Sequence, residues 1–241
     1  MQKTKIEWTD YTWNPIKGIC PVDCRLPDGR GYCYARRMYQ RFGWDPKLSL
    51  DGGLFGSCQD AFSPNVCVYE MLDRIKPGSK IFICSTCELF HPKISKEWRD
   101  AIFQAIKGSP QHTFQILTKH PQNIYRPMPD NVWLGVSITK PIEMYPKIKS
   151  LYQTHAKLKF ISFEPLMGDV GQFRFQGWLG QNVDWIIVGK LTGHGHKYDP
   201  KQFWIESIIN HAKKFNTPVF LKNNLREIKG EPLIQEFPYV I

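Results

Sequence analysis

Lys80-Ile81-Phe82-Ile83-Cys84, followed at once by Ser85-Thr86-Cys87-Glu88, decides how the rest of the chain is read. The first five residues are a short apolar run of the kind that forms a buried strand, and the next four are small, polar or reactive. A helix candidate from Lys96 to Lys107 comes next. Further runs follow at Thr113-Phe114-Gln115-Ile116-Leu117, Asn131 to Val136, Leu158 to Phe163, Val183 to Val188 and Pro218 to Leu221, with helical periodicity from Pro200 to Phe215. Upstream, Tyr11 to Asn14 reads as a short strand and Tyr34 to Phe42 as a helix. Alternation of run, turn and helix predicts parallel βα units in a doubly wound sheet or barrel. About six to seven strands fall short of a closed eight-stranded barrel, so the expectation is an open or partial (β/α) barrel. The pattern lapses between Asp45 and Asn65, where Gly52-Gly53, Gly56, Ser57 and Ser63-Pro64 predict an insertion or lid-like loop. No linker or repeat divides the chain, which reads as one domain over residues 1–241.

Each apolar run ends in residues that can do chemistry. Ser85, Thr86, Cys87 and Glu88 follow the first; Thr118 and Lys119, Ser137, Glu164, and Lys190 with Thr192 follow others. In parallel α/β folds ligands bind beyond the carboxyl ends of strands, so these residues are candidates for one functional rim. Any one of them could instead be a helix cap or turn residue; the repetition favours function. Lys222 and Arg226 follow the last run in the same way.

The 241 residues carry 42% hydrophobic and 22% charged residues, enough apolar material for a core and too much for wholesale disorder. No apolar stretch approaches the roughly 20 residues that span a bilayer, and Met1 to Trp13 lacks an apolar signal segment. A cytoplasmic protein with no membrane association is expected. Lys and Arg total 32 against 22 Asp and Glu, a net charge of +10 that suits polyanionic partners and equally suits a solvated cationic surface.

Seven cysteines without a secretion signal argue against a disulfide framework and for metal ligands or reactive groups. Cys20, Cys24 and Cys33 follow the first strand with spacing C-x3-C-x8-C. Between the last two lies Arg25-Leu26-Pro27-Asp28-Gly29-Arg30, whose Pro-Asp-Gly core is a strong turn signal. With that six-residue hairpin set aside, C-x3-C-x2-C remains. Three thiolates on a cubane leave one iron open to an outside ligand. The alternatives at this point are a structural zinc site, with Cys84, Cys87 or His91 as fourth ligand, and cysteines buried as small hydrophobes. Cys84-x2-Cys87 is open to three readings: a hydrogen-donating thiol, a second metal site or two inert cysteines. Gly193-His194-Gly195-His196 reads as a solvated loop or a metal-binding one.

The C-x3-C-x2-C arrangement, with Tyr32 before the last cysteine, resembles the cluster loop of radical S-adenosylmethionine enzymes. Longer strings extend the likeness. Thr4-Lys5-Ile6-Glu7-Trp8-Thr9, Thr12-Trp13-Asn14-Pro15, Cys33-Tyr34-Ala35, Leu89-Phe90-His91-Pro92, Ile116-Leu117-Thr118-Lys119 and Trp133-Leu134-Gly135-Val136-Ser137 occur in order. Phe160-Ile161-Ser162-Phe163-Glu164-Pro165-Leu166, Asp184-Trp185-Ile186-Ile187-Val188-Gly189 and Gln235-Glu236-Phe237-Pro238 complete the series. Together they resemble a phage-associated, radical-SAM-like family of uncharacterised proteins, the three-Cys-motif or phage Gp37/Gp68-type proteins. This chain departs from that pattern in its C-x3-C-x8-C spacing. It also has Gly189-Lys190-Leu191-Thr192-Gly193 in place of a Gly-Gly-Glu-Ser-Gly stretch, and Cys87-Glu88 in place of Ser-Asp.

The resemblance implies a radical-SAM-type barrel with a [4Fe–4S] cluster on Cys20, Cys24 and Cys33, which cleaves S-adenosylmethionine to a 5′-deoxyadenosyl radical. It implies cofactor contacts from Tyr32, Tyr34, Ser85, Thr86, Glu88, Thr118, Ser137 and Glu164, with Glu88 suited to the methionine ammonium. Cys87, Lys119, Lys190 and Lys222 are the substrate-side candidates. A flavodoxin or ferredoxin would serve as reductant, and net charge with phage association suggests a nucleotide or nucleic acid substrate. A zinc-stabilised α/β enzyme and a non-catalytic nucleic-acid-binding accessory protein are the competing readings.

Overall fold

The computed structural model describes residues 1–51, 66–171 and 183–238. Two compact units are present: Met1–Asn123 with Pro129–Val132, and Ile124–Met128 with Trp133–Ile241. In both, short apolar runs become strands and amphipathic runs become helices, giving a mixed α/β fold with mostly parallel pairing.

The first unit contains β1 (Gln2–Lys3), β2 (Tyr11–Trp13), β3 (Ile16–Lys17), α1 (Tyr34–Phe42), β4 (Ser49–Leu50), α2 (Val66–Asp73), β5 (Lys80–Ile83), α3 (Lys96–Lys107) and β6 (Thr113–Thr118). Its main strands run in the order β1-β2-β5-β6, with β1 antiparallel and the others parallel. β3 and β4 pair separately and antiparallel. Trp8, Trp13, Ile81, Ile83, Phe114 and Ile116 are buried here. The sequence of α3 explains its form. Ala101, Ile102, Ala105 and Ile106 recur on one face and are buried, the Ser95 hydroxyl accepts the Trp98 amide at 3.3 Å, and Gly108 ends the run.

The second unit contains β7 (Val132–Ser137), α4 (Met144–Gln153), β8 (Leu158–Phe163), β9 (Trp185–Val188), α5 (Gln202–Lys214), β10 (Val219–Leu221) and α6 (Arg226–Lys229). Its strands pair in parallel in the order β7-β8-β9-β10. Every residue of β7, β9 and β10 is buried, as expected of parallel strands covered on both faces. Trp185 anchors this unit, packing its ring against Trp133, Phe160, Phe220 and Phe237 and donating its indole N–H to the Glu236 carbonyl at 2.8 Å. The tail after α6 returns beside β10, where Leu221 N–H reaches the Ile234 carbonyl at 2.8 Å and Glu236 N–H reaches that of Val219 at 2.9 Å. These bonds satisfy groups that an edge strand would leave open.

The parallel βα alternation read from the sequence is present in both units. The structure adds elements that the alternation did not predict: β1, β3, β4, α2, α4 and α6. α4 was hidden by Pro146, which sits in its first turn, where a missing N–H costs little. Within the expected insertion at 45–65, Ser49–Leu50 forms β4; residues 52–65, with Cys58, lie outside the described residues. Among the described residues no helix is long and apolar enough to cross a membrane.

Packing in the second unit is tight enough to test by one methyl group. A Cβ on Gly135 would lie 2.3 Å from Cζ of Phe160, a ring that is 0% exposed. Gly135→Ala is expected to destabilise the protein by about 1–3 kcal/mol through overpacking. Urea denaturation measures this, and an unchanged midpoint would show that the strand pair relaxes freely.

Candidate functional site

Parallel pairing of β2 with β5 places Trp13 beside Ile83, so the segments leaving these two strands start next to each other. One carries Cys20, Cys24 and Cys33; the other carries Cys84 to Glu88. The first segment is shaped by Gly18, whose φ of 95° favours glycine and whose Cβ would collide with the Lys47 carbonyl at 2.3 Å. Its amide donates to the buried Tyr39 hydroxyl at 2.8 Å. The Arg36 guanidinium reaches back from α1 to the carbonyls of Cys20 and Val22 at 3.2 and 3.4 Å.

The eight residues between Cys24 and Cys33 fold out as a hairpin. Arg25 bridges to Gly31, Leu26 N–H bonds to the Arg30 carbonyl at 2.8 Å, and Gly29 takes φ 84° at the tip. Tyr32 N–H then reaches the Cys24 carbonyl at 3.0 Å, so the chain re-enters where it left. The Cys24 and Cys33 thiols are thereby neighbours that shift each other's acidity. On the other side, the Cys87 and Cys20 thiols do the same.

These contacts set the acidities. The Cys24 thiol holds Cys33 down to about 6, helped by the Arg36 and Ala35 amides at the start of α1. The Cys87 thiol lowers Cys20, with the Val22 and Glu88 amides adding to it. Cys24 and Cys87 are pushed up by the same neighbours and by burial. Burial raises Cys84 as well.

Glu88 is 5% exposed and both of its oxygens are engaged by the chain. Oε1 accepts the Thr118 hydroxyl at 2.5 Å and the Phe90 amide at 3.2 Å; Oε2 accepts the Lys119 amide at 2.7 Å. Thr118 is 0% exposed, and its oxygen also accepts the His120 amide at 2.9 Å. These two residues therefore tie the end of β5 to the end of β6. Lys119 lies within electrostatic reach of Cys24. Ser85 and Thr86 are half-buried and both donate to the Asn14 side-chain oxygen, at 3.1 Å from the Ser85 hydroxyl and 3.2 Å from the Thr86 amide. The Tyr34 hydroxyl donates to the Ser85 carbonyl. His91 packs edge-on to His120 and accepts the Lys93 amide at 3.1 Å.

In the second unit Glu164 pairs with Lys222 at the ends of β8 and β10. Gly189, after β9, backs the pair: a Cβ there would sit 2.9 Å from Lys222 Cδ and 3.2 Å from Glu164 Cδ. Lys190 bonds Asp199 at 3.0 Å and Glu227 at 3.4 Å, with Asp199 chiefly responsible for raising its pKa. His196 joins Asp199 at 2.9 Å. Ser137 is buried and its carbonyl accepts the Lys147 ammonium at 2.8 Å.

The structure thus brings Cys20, Cys24, Cys33, Cys87, Glu88, Thr118, Lys119, Ser85 and Tyr34 into one neighbourhood of the first unit. Ser137, Glu164, Lys190 and Lys222 follow strand ends of the second. Asn14, Arg36 and Tyr39 were not singled out from the sequence as functional residues. Asn14 carried the usable signal, a polar side chain at a strand end, whereas Arg36 and Tyr39 looked like ordinary helix residues.

A family described as protein of unknown function, DUF5131, matches residues 3–228. The chain belongs to that family. No curated protein and no solved structure matches it.

Whether this member's thiols suit a metal is a matter of donor type and placement. Among the described residues no group of three or more His, Cys, Asp or Glu side chains is arranged to hold a metal ion. The two segments present two pairs of neighbouring thiols instead, Cys24 with Cys33 and Cys20 with Cys87, close enough that Cys20 influences the ionisation of Cys24. Soft sulfur donors of this kind select zinc and iron–sulfur centres, so the donor type suits such a group while the arrangement of the described side chains does not form its site. In reduced, metal-free protein, Cys33 and Cys20 are expected to react with iodoacetamide ahead of Cys24, Cys84 and Cys87. Peptide mapping across pH should place the midpoint for Cys33 near 6. Cys24→Ala removes the neighbour that favours the Cys33 thiolate and moves that midpoint up; an unmoved midpoint would contradict the pairing.

Proposed function

We propose that this chain is a radical S-adenosylmethionine enzyme whose Cys20, Cys24 and Cys33 hold a [4Fe–4S] cluster within a radical-SAM-type partial barrel. The observation that supports this most is the hairpin between Cys24 and Cys33, which converts a C-x3-C-x8-C sequence into a compact cysteine loop directly after a parallel strand. Such a cluster, when bound, would supply the electron that breaks a C–S bond of S-adenosylmethionine.

The chain's own residues have distinct roles in this reading. Arg36 and Tyr39 hold the loop by its backbone. Asn14 orients Ser85 and Thr86, and Tyr34 fastens the same turn, which precedes Cys87. Glu88 and Thr118 fix the strand ends that carry this border, which leaves Ser85, Thr86, Tyr32 and Tyr34 as the cofactor contacts. Lys119 would favour anionic groups beside Cys24. Glu164 with Lys222, and Lys190 with Asp199, offer further charged groups for cofactor or substrate. The net charge supports a nucleotide or nucleic acid substrate, a flavodoxin or ferredoxin reductant suits the chemistry, and a phage-associated, cytoplasmic setting goes with both.

A zinc-stabilised α/β enzyme is the second reading, and the contact of Cys87 with Cys20 favours it. Anaerobic purification, reconstitution with iron and sulfide, and absorbance with metal analysis separate the two. About four irons per chain, lost in a Cys20→Ala, Cys24→Ala, Cys33→Ala triple variant, are expected. 5′-Deoxyadenosine release on reduction with S-adenosylmethionine would then follow. Bound zinc with no iron chromophore would overturn the radical mechanism.

A further inference from the structure

We infer that the exposed face of α1 and the turn after it bind single-stranded nucleic acid, with bases stacked on Phe42 and Trp44 and phosphates held by Arg37 and Arg41. This rests on the reading of a nucleic acid substrate and deepens it by naming the strandedness and the surface. Binding here needs neither metal nor cluster.

The sequence of α1 holds three arginines and no acidic residue. Ala35 and Tyr39, four residues apart, are buried and seat the helix. Arg36 is occupied by the Cys20 and Val22 carbonyls. Spacings of three and four residues put Tyr34, Arg37 and Arg41 on another face, and all three are exposed. The arginines of the neighbouring hairpin differ: Arg25 pairs with Asp23 at 2.6 Å and Arg30 with Asp28 at 2.9 Å, so their charge is matched within the hairpin.

The turn after α1 adds the aromatic part. Gly43 takes φ 60°, and its amide and that of Trp44 both bond to the Tyr39 carbonyl, the second at 3.2 Å. The chain doubles back there, and the Trp44 ring stacks on Phe42 with centroids 5.2 Å apart and planes 21° from parallel. An edge contact with Tyr39, also at 5.2 Å, ties Trp44 to a buried ring whose hydroxyl receives the Gly18 amide. Both stacked rings nevertheless meet water, Phe42 at 54% exposure and Trp44 at 47%. The Arg41 guanidinium stands 5.5 Å from the Phe42 centroid. Lys47 is exposed just beyond, and Asp45, the acid between Trp44 and Lys47, accepts the Lys47 amide at 2.8 Å.

Pre-set π-faces beside guanidinium groups complement unstacked bases joined by phosphates, the chemistry of single-strand recognition. A duplex keeps its base faces stacked inside, so it could use the cations alone. The nine residues of α1 span about 13 Å, the length of roughly two to four nucleotides. The same face starts at the cysteine loop, because Cys33 is the N-cap of α1 and the Tyr34 hydroxyl donates to the Ser85 carbonyl. A strand lying along it runs from Trp44 towards the cysteines.

Fluorescence anisotropy of the whole chain tests this, with a short labelled single strand of mixed sequence, as DNA and as RNA, and with the matching duplex. The single strand should bind more tightly than the duplex. Trp44→Ala should weaken it roughly 5- to 100-fold, and Trp44→Phe should restore most of the loss. Arg37→Ala with Arg41→Ala should lower the slope of log affinity against log salt by about 1.4. Both arginines are exposed, so this pair tests the surface even if Trp44→Ala unsettles Tyr39. Tyr145→Ala with Lys149→Ala removes a comparable ring and cation on α4 and should change nothing. Strand binding that survives the α1 variants, or is lost only in the α4 variant, overturns this inference and leaves the nucleic acid reading standing. Equal affinity for duplex overturns it too, as do anionic phosphatidylglycerol vesicles that bind through Trp44 where no strand does. Failure of the unaltered chain to bind DNA or RNA sinks the nucleic acid reading and this inference together.

Discussion

A buried carboxylate holds the strand-end edge of the first unit together. Glu88 accepts hydrogen bonds from the Thr118 hydroxyl and from the amides of Phe90 and Lys119, and its own amide faces the sulfur of Cys20. Taking a carboxylate out of water is costly unless every lone pair finds a donor. Three donors converge here, so the residue after Cys87 is locked to the residues ending β6. The cysteine loop inherits that rigidity, because it docks on the turn that Glu88 fixes. Pre-set positions of this kind are what a metal or cofactor site requires of its surroundings.

Around that carboxylate the site is built mainly from backbone. Carbonyls of Cys20 and Val22 receive Arg36, the Gly18 amide reaches Tyr39, and the Ser85 carbonyl receives Tyr34. α1 supplies all three side chains from one helix. The helix therefore acts as a clamp across the loop and the turn, and its register decides where the sulfurs stand. The second unit uses a different device at its strand ends, where carboxylates and lysines neutralise each other in close pairs with a glycine behind one of them.

Much of this organisation is legible in the residues. The apolar run Leu158–Phe163 is a strand as read, the run from Val183 to Val188 forms one over Trp185–Val188, and α3 and α5 follow their apolar spacing. The Pro27-Asp28-Gly29 turn predicted a hairpin between Cys24 and Cys33, and one is there. What escaped was long-range. Nothing in the run from Cys84 to Glu88 reveals that Thr118 and the Lys119 amide would occupy Glu88, because those partners are some thirty residues away. The same holds for Cys87 and Cys20, whose meeting depends on which strands are neighbours. Two-residue strands such as β3 and β4 carry no periodicity at all, and Pro146 disguised a helix by standing where proline is tolerated.

The hairpin from Arg25 to Arg30 has one more implication. Its two ends are stitched together at Cys24 and Tyr32, so the path length between the cysteines is independent of how far the chain travels outside. Lengthening an excursion whose ends are already closed adds only slowly growing entropy. The hairpin is thus a splice site in the architecture. Its exposed tip at Pro27 to Gly29 is open to variation in size and chemistry, and a recognition element or a fluorescent label could be grafted there without disturbing the sulfurs. Changes of length at this point leave the closed ends at Cys24 and Tyr32 where they are.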